Sequence, residues 1–205
     1  MNYIIASFPR SGNHWVRYIV EWFSKRPTIG DGKRDLPIYK KVGLKGISGK
    51  PIAKKRHRID ESMHDKKLLL IVRNFMENKD IIDHQTIDYE AHKYHLPDVY
   101  MGLIEQYDVW PEDKIILYYE DLMDDPFESI MSILEFFKID SDNVLNFIND
   151  IDIHRHNMMS YYMSFMGIRS RTELTEEAAN RAVEYKDYII NNYPELSKKY
   201  LSRYY

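Results

Sequence analysis

The 205-residue sequence contains no cysteine. That excludes disulfides, thiolate metal sites and a cysteine nucleophile, and it fits a reducing compartment. No apolar run approaches the ~20 residues that a membrane-spanning helix needs. A dominant charge is lacking too. Lys and Arg number 29 against 32 Asp and Glu, a net charge of −3, so no global basic field argues for nucleic acid. The first apolar stretch begins almost at Met1, which leaves no room for a signal or transit peptide. Together these absences predict a soluble, cytoplasmic chain with neither nucleic acid nor membrane as partner. No repeat or low-complexity linker divides it, and 44% of its residues are hydrophobic. One domain over residues 1–205, with a real core, is therefore expected.

What is present alternates strand-like and helix-like segments. Tyr3-Ile4-Ile5-Ala6 suits a buried strand. Trp15, Ile19 and Phe23 recur four apart, as on one face of a helix. Ile52–His57 looks like a short strand ending in a basic turn, and Leu68–Val72 is an unbroken apolar strand fit for the middle of a parallel sheet. Residues 76–95 predict a helix and then a loop. Leu96–Trp110 reads as a helix and Ile115–Tyr119 as a strand. Asp125-Pro126-Phe127-Glu128 carries the signature of a helix start, with Asp125 as cap and Pro126 at the first position. A short helix follows near 141–149, and a last one runs from Thr175 to about Asn192. Pro27 to Pro51 holds five glycines and little periodicity, so it predicts a long loop, either a substrate lid or a surface insertion. The order argues for a three-layer α/β/α domain around a short parallel sheet.

The chemistry centres on Ser7-Phe8-Pro9-Arg10-Ser11-Gly12-Asn13-His14-Trp15, between the first strand and the first helix. A helix start has unpaired N–H groups and the positive end of the dipole, which together form an anion site. Gly12 permits close approach of the backbone. Arg10 adds a forked cation suited to phosphate or sulfate, and Ser11, Asn13 and His14 add donors. A Walker A loop is excluded, because no Gly lies five residues before Gly12 and no Lys follows it.

The stretch Phe8-Pro9-Arg10-Ser11-Gly12-Asn13-His14-Trp15 resembles the 5′-phosphosulfate loop of the sulfotransferase family, Tyr-Pro-Lys-Ser-Gly-Thr-Thr-Trp. Pro, Ser, Gly and Trp match in place, Arg10 replaces Lys, and Asn13 and His14 replace the two Thr. Further family signals follow in order. Lys55-Arg56-His57 resembles the strand-end Lys-Thr-His whose His is the catalytic base. Val72-Arg73-Asn74 resembles the Arg-Asn-Pro whose Arg holds the nucleotide's 3′-phosphate, and His84 falls near the family's partner Ser, which is missing here. Tyr119-Glu120-Asp121-Leu122 followed by Asp125-Pro126 resembles a mainly architectural motif. Arg169 and Arg171 stand where a loop closes over the 3′-phosphate.

The resemblance spans Tyr3 to about Leu201 and implies the P-loop-like sulfotransferase fold. It implies transfer of a sulfuryl group from 3′-phosphoadenosine 5′-phosphosulfate (PAPS) to a hydroxyl or amine of a small-molecule or glycan acceptor, releasing the 3′,5′-bisphosphate (PAP), without a metal. In that picture Arg10, Ser11, Gly12, Asn13 and His14 hold the 5′-phosphosulfate, and Arg73, His84, Arg169 and Arg171 serve the 3′-phosphate. His57 takes the acceptor proton, and Lys55 and Arg10 support the developing charge. Trp15 either stacks on adenine or belongs to the core. The Met- and aromatic-rich stretch 157–166 predicts core with partial exposure to a pocket. Residue chemistry leaves other readings for the same positions: a solvated basic turn at Lys54–Arg58, a strand-end ion pair at Arg73, and a capped basic loop at 167–175. At the level of function the alternatives are a P-loop-type kinase using ATP and magnesium and a nucleotide-binding module without catalysis.

Overall fold

In the computed structural model, five parallel strands form one sheet in the order β2-β3-β1-β4-β5. The structure describes residues 2–31, 35–77, 96–166 and 176–205, with only the backbone course given for 161–166. The strands are β1 (Tyr3–Ser7), β2 (Thr28–Ile29), β3 (Ala53–Arg56), β4 (Lys67–Val72) and β5 (Lys114–Tyr118). The helices are α1 (Asn13–Ser24), α2 (Ile38–Val42), α3 (Leu96–Asp108), α4 (Tyr119–Asp124), α5 (Pro126–Phe137), α6 (Val144–Asn149), α7 (Ile151–Met166) and α8 (Glu176–Asn192). Short helical turns then run from Pro194 to Tyr204.

Strand alternation separates two cores, one on each face of the sheet. Ile5, Leu69, Ile71 and Leu117 face α1, α5 and α6. Ile4, Ala6, Leu68, Leu70 and Val72 face α3, Ile189 of α8 and Leu201 of the terminal turns. That arrangement explains why β4 reads as an unbroken apolar run, since both of its faces are covered. The expected three-layer α/β/α architecture is the observed one.

The chain passes from β1 to β2 and β3 on one side and then crosses to β4 on the other. β1 is therefore flanked by β3 and β4, with Ile5 opposite both Lys55 and Leu69. The crevice outside the carboxyl ends of these three strands is the switch point of a doubly wound sheet, where such folds place ligands. The Phe8–Gly12 loop, His57 and Arg73 all follow these ends.

Three details differ from the sequence expectations. The stretch 27–51 is not one long loop, because it contains β2 and α2. Both are fastened by the fully buried Glu21 of α1. Its carboxylate accepts from the Thr28 N–H and hydroxyl, from the Ile38 N–H at 3.1 Å and from the Tyr39 N–H. These are long-range bonds that no local pattern reveals. Asp125 precedes α5 but makes no side-chain cap, and Pro126 at the first position sets the helix start alone. Tyr119 opens α4 rather than closing β5.

Candidate active site

The loop from Phe8 to Gly12 turns sharply between β1 and α1. Arg10 and Gly12 both adopt positive φ, 65° and 86°. At Gly12 glycine is favoured twice over, because the φ is left-handed and a Cβ there would lie 2.3 Å from the Tyr119 ring. Trp15 and Val16 donate their N–H groups to the Gly12 carbonyl, and no side chain caps the helix start. Ser11 is buried. α1 has twelve residues and no acidic side chain in its first turn, so the dipole end faces the loop unopposed.

Asn13 is turned inward. Its side-chain amide donates to Ser7 Oγ at 3.1 Å and to the Ile5 carbonyl at 3.5 Å, stapling the helix start to β1. The Asn13 side-chain amide is therefore engaged inside the fold and is not the outward donor expected of it. Trp15 also faces inward. It is 7% exposed and its ring stacks on Tyr18 at 5.4 Å, so the structure places it in the core beside α6.

Arg73, just past β4, donates to the Arg10 carbonyl at 2.8 Å and lies 4.7 Å from the centre of the Tyr119 ring. Tyr119 thus packs against both Gly12 and Arg73. The next residue, Glu120, accepts from the Asn74 N–H at 2.8 Å and from the Tyr204 hydroxyl at 2.7 Å. The Tyr119-Glu120 motif therefore does more than build the fold, since it fixes the loop and the Arg73 segment relative to each other.

His57 stands one residue beyond β3. Its Nδ1 lies 2.8 Å from the Ser7 carbonyl. A carbonyl only accepts, so this bond puts the ring proton on Nδ1 and leaves the lone pair on Nε2. Burial, helped by Lys55, holds its pKa below the usual histidine range against the opposing pull of the Ser7 carbonyl, Asp31 and Asp35. The ring is consequently a neutral base near pH 7. Asp31 fixes the turn by accepting from the His57 N–H at 3.1 Å and from Arg56 at 2.7 Å.

Lys55 points inward and is largely buried. Its ammonium donates to Asp35 at 2.9 Å, and Asp35 also accepts from Arg17 and Lys41, each at 3.1 Å. His14 lies 3.9 Å from the same carboxylate and 3.5 Å from the Lys41 ammonium. Burial first, then Lys41, Lys55 and Arg17, depress the His14 pKa to about 2. His14 is therefore a neutral ring, and accepting from Lys41 at Nε2 leaves its proton on Nδ1. Burial alone would raise the pKa of Asp35, but Arg17, Lys55 and Lys41 outweigh it and hold the carboxylate well below its ordinary range.

The structure thus joins His57 and Arg73 to the end of β1 and the loop after it, through the Ser7 and Arg10 carbonyls, and joins His14 and Lys55 through Asp35. His84, Arg169 and Arg171 lie outside the described residues, as does most of 157–166 at the side-chain level. Sequence reasoning missed Asp35, Arg17 and Lys41. A signal existed for Arg17, because His14, Arg17 and Glu21 form a polar stripe at helical spacing on an otherwise apolar helix. Nothing local distinguished Asp35. Among the described residues no group of three or more His, Asp or Glu side chains could hold a metal ion.

With this geometry in hand, the solved structures most similar to the chain include mouse sulfotransferase SULT7A1 complexed with PAP. The similarity covers 97% of this chain and 84% of that one, with a TM-score of 0.53 and 17% identity. The chain has the sulfotransferase fold. A sulfotransferase domain from the curacin biosynthetic pathway aligns over 91% of this chain and 97% of its own, at a TM-score of 0.45 and 13% identity. No protein-family model matches the chain, and no curated protein does. Among the described residues no helix is long and apolar enough to cross a membrane.

Proposed function

We propose that this chain is a sulfotransferase that moves a sulfuryl group from PAPS to a hydroxyl or amine of a small-molecule or glycan acceptor. The observation that carries the reading is the bond from His57 to the Ser7 carbonyl. It anchors a neutral base to the residue where the anion-binding loop begins, so base and loop cannot drift apart. His57 Nε2 takes the acceptor proton as the acceptor oxygen or nitrogen attacks sulfur. The sulfur–oxygen bond to the 5′-phosphate breaks, and PAP leaves. Arg10, the backbone of Ser11 to His14 and the α1 dipole suit the 5′-phosphate and the transferring group. Arg73 suits the 3′-phosphate, for which Arg169, Arg171 and His84 are further candidates. The cations Lys55 and Arg10 offset the charge that develops in transfer, the role a metal plays in phosphoryl transfer. The complex of the mouse sulfotransferase with PAP supports the choice of nucleotide.

Thermal shift with PAP beside ADP and ATP–magnesium tests the donor, because selective binding raises melting by mass action. A shift with PAP alone is expected; a shift only with ATP–magnesium would move the chain to phosphoryl transfer. Transfer is tested by His57→Gln. PAP binding should persist within about twofold while turnover drops by about 10²–10⁴-fold, the usual contribution of a general base. Full turnover in this variant would remove His57 from the mechanism, and PAP binding without turnover in the parent chain across acceptors would mark a binding module.

A further inference from the structure

We propose that Asp35 is a positioning residue of this site, whose carboxylate holds the Lys55 ammonium in place beside His14 at the start of α1. What Lys55 does there rests on the sulfotransferase reading; where Asp35 stands does not.

Asp35 joins three separate elements. Its Oδ1 accepts from Arg17 of α1 and Lys41 of α2, and its Oδ2 from Lys55 of β3. The Arg17 side chain is fully buried and those of Lys41 and Lys55 are each 9% exposed. The surrounding backbone is shaped for this contact. A Cβ on Gly30 would lie 2.2 Å from the Asp35 carboxyl carbon, so only glycine admits the carboxylate. Arg17 is itself fixed from other directions, through Thr28 Oγ1 at 2.8 Å and the Leu36 carbonyl at 3.1 Å. The carboxylate therefore rests on a rigid guanidinium and presents its other oxygen to Lys55.

Two consequences follow for Lys55. A lysine side chain has large rotamer freedom and one compact charge, so a single strong partner decides where the ammonium sits. The ammonium has three donors, and Asp35 takes one of them without consuming the group's capacity for an oxyanion. The second consequence concerns charge. Lys55 is surrounded by Arg17 and His14 from α1, Lys41 from α2, His57 beyond β3, and Asp31 and Asp35 from the segment after β2. Burial and Arg17 favour the neutral amine, while Asp35 and the more distant Asp31 favour the ammonium. Without Asp35 the balance moves toward the amine.

The test uses the full chain and Asp35→Asn, with Asp35→Glu as the conservative rescue. One readout needs no nucleotide: the pH titration of the Lys55 Cε resonance by ¹³C NMR, assigned with Lys55→Arg. The second is the ratio of PAPS to PAP affinity by calorimetry at roughly pH 8. In Asp35→Asn the Lys55 midpoint should fall by about one pH unit or more. The preference for the sulfated nucleotide should drop about tenfold while PAP affinity stays within about twofold. Asp35→Glu should recover both. An unmoved Lys55 midpoint and an unchanged ratio in folded Asp35→Asn would overturn the proposal. So would equal losses of PAPS and PAP affinity with the midpoint unmoved. If Asp35→Asn does not fold, Asp35→Asn with Lys41→Met removes one cation along with the anion, and the same readouts decide. A parent chain that binds neither nucleotide would sink the sulfotransferase reading, and the Lys55 titration would still judge Asp35.

Discussion

Gly12 shows how much a single residue decides. Its positive φ and the Tyr119 ring against its α-carbon leave no room for a side chain. Gly12→Ala must both strain the backbone and push Tyr119 off Arg73. A stability loss of about 1–3 kcal/mol is expected from the forced backbone conformation, read as the urea midpoint. PAP affinity should also fall, because Arg73 loses its platform. An alanine variant that keeps parental stability and PAP binding would show that Tyr119 gives way freely. Arg10 and Gly12 were visible in the sequence from the strand–turn–helix pattern around them, and His57 and Arg73 from the order of motifs that resembles the sulfotransferase family. Asp35 was not, since its partners come from residues 17, 41 and 55 and only the fold brings them together.

At the scale of elements, α2 and β2 depend on α1 through one buried carboxylate. Glu21 accepts from Thr28, Ile38 and Tyr39, and it is fully buried. Glu21→Gln puts amide donors against backbone donors and removes charge-assisted bonds. A loss of about 2–3 kcal/mol is expected. Amide hydrogen exchange at Thr28, Ile38 and Tyr39 should accelerate more than exchange in β4. Uniform acceleration over the whole sheet would contradict a local role for Glu21. The same element explains a misreading. Residues 27–51 look like a loop because glycines interrupt them and periodicity fails, yet tertiary bonds from α1 organise part of the stretch. By contrast β1, β4, α1 and α5 were legible, since apolar pattern and helix-start chemistry are local.

The whole molecule stores a pH dependence in three half-buried histidines. His14, His57 and His154 all have pKa values held below the ordinary histidine range, by burial first in each case. A base with a depressed folded pKa is protonated earlier in the unfolded chain, so it leaves stability intact above about 6.5 and removes it as pH falls below that value. For His14 the window extends down to about 2. Unfolding free energy should therefore decline between pH 7 and 5, at up to about 1.4 kcal/mol per pH unit from His14, with a further contribution of the same sign from His57 and a solvent-screened one from His154. His14→Asn should flatten part of that slope, measured by urea titrations at several pH values. A slope unchanged by this substitution would mean that His14 does not titrate with unfolding.

The sequence by itself determined the class of fold and picked out candidate residues beside the strand ends. Alternating apolar strands and amphipathic helices, with a glycine turn and cations at strand ends, follow from patterns a few residues long. Only the tertiary structure decided which of those residues face the crevice. It turned the Asn13 side chain and Trp15 inward, set the His57 tautomer through the Ser7 carbonyl, and placed Asp35 among Arg17, Lys41 and Lys55. The physical reason is that which way a side chain turns, and which groups it meets, depends on how separate elements pack. The His57–Ser7, Arg17–Asp35 and Lys55–Asp35 contacts in particular depend on strand order and register, which local pattern does not encode.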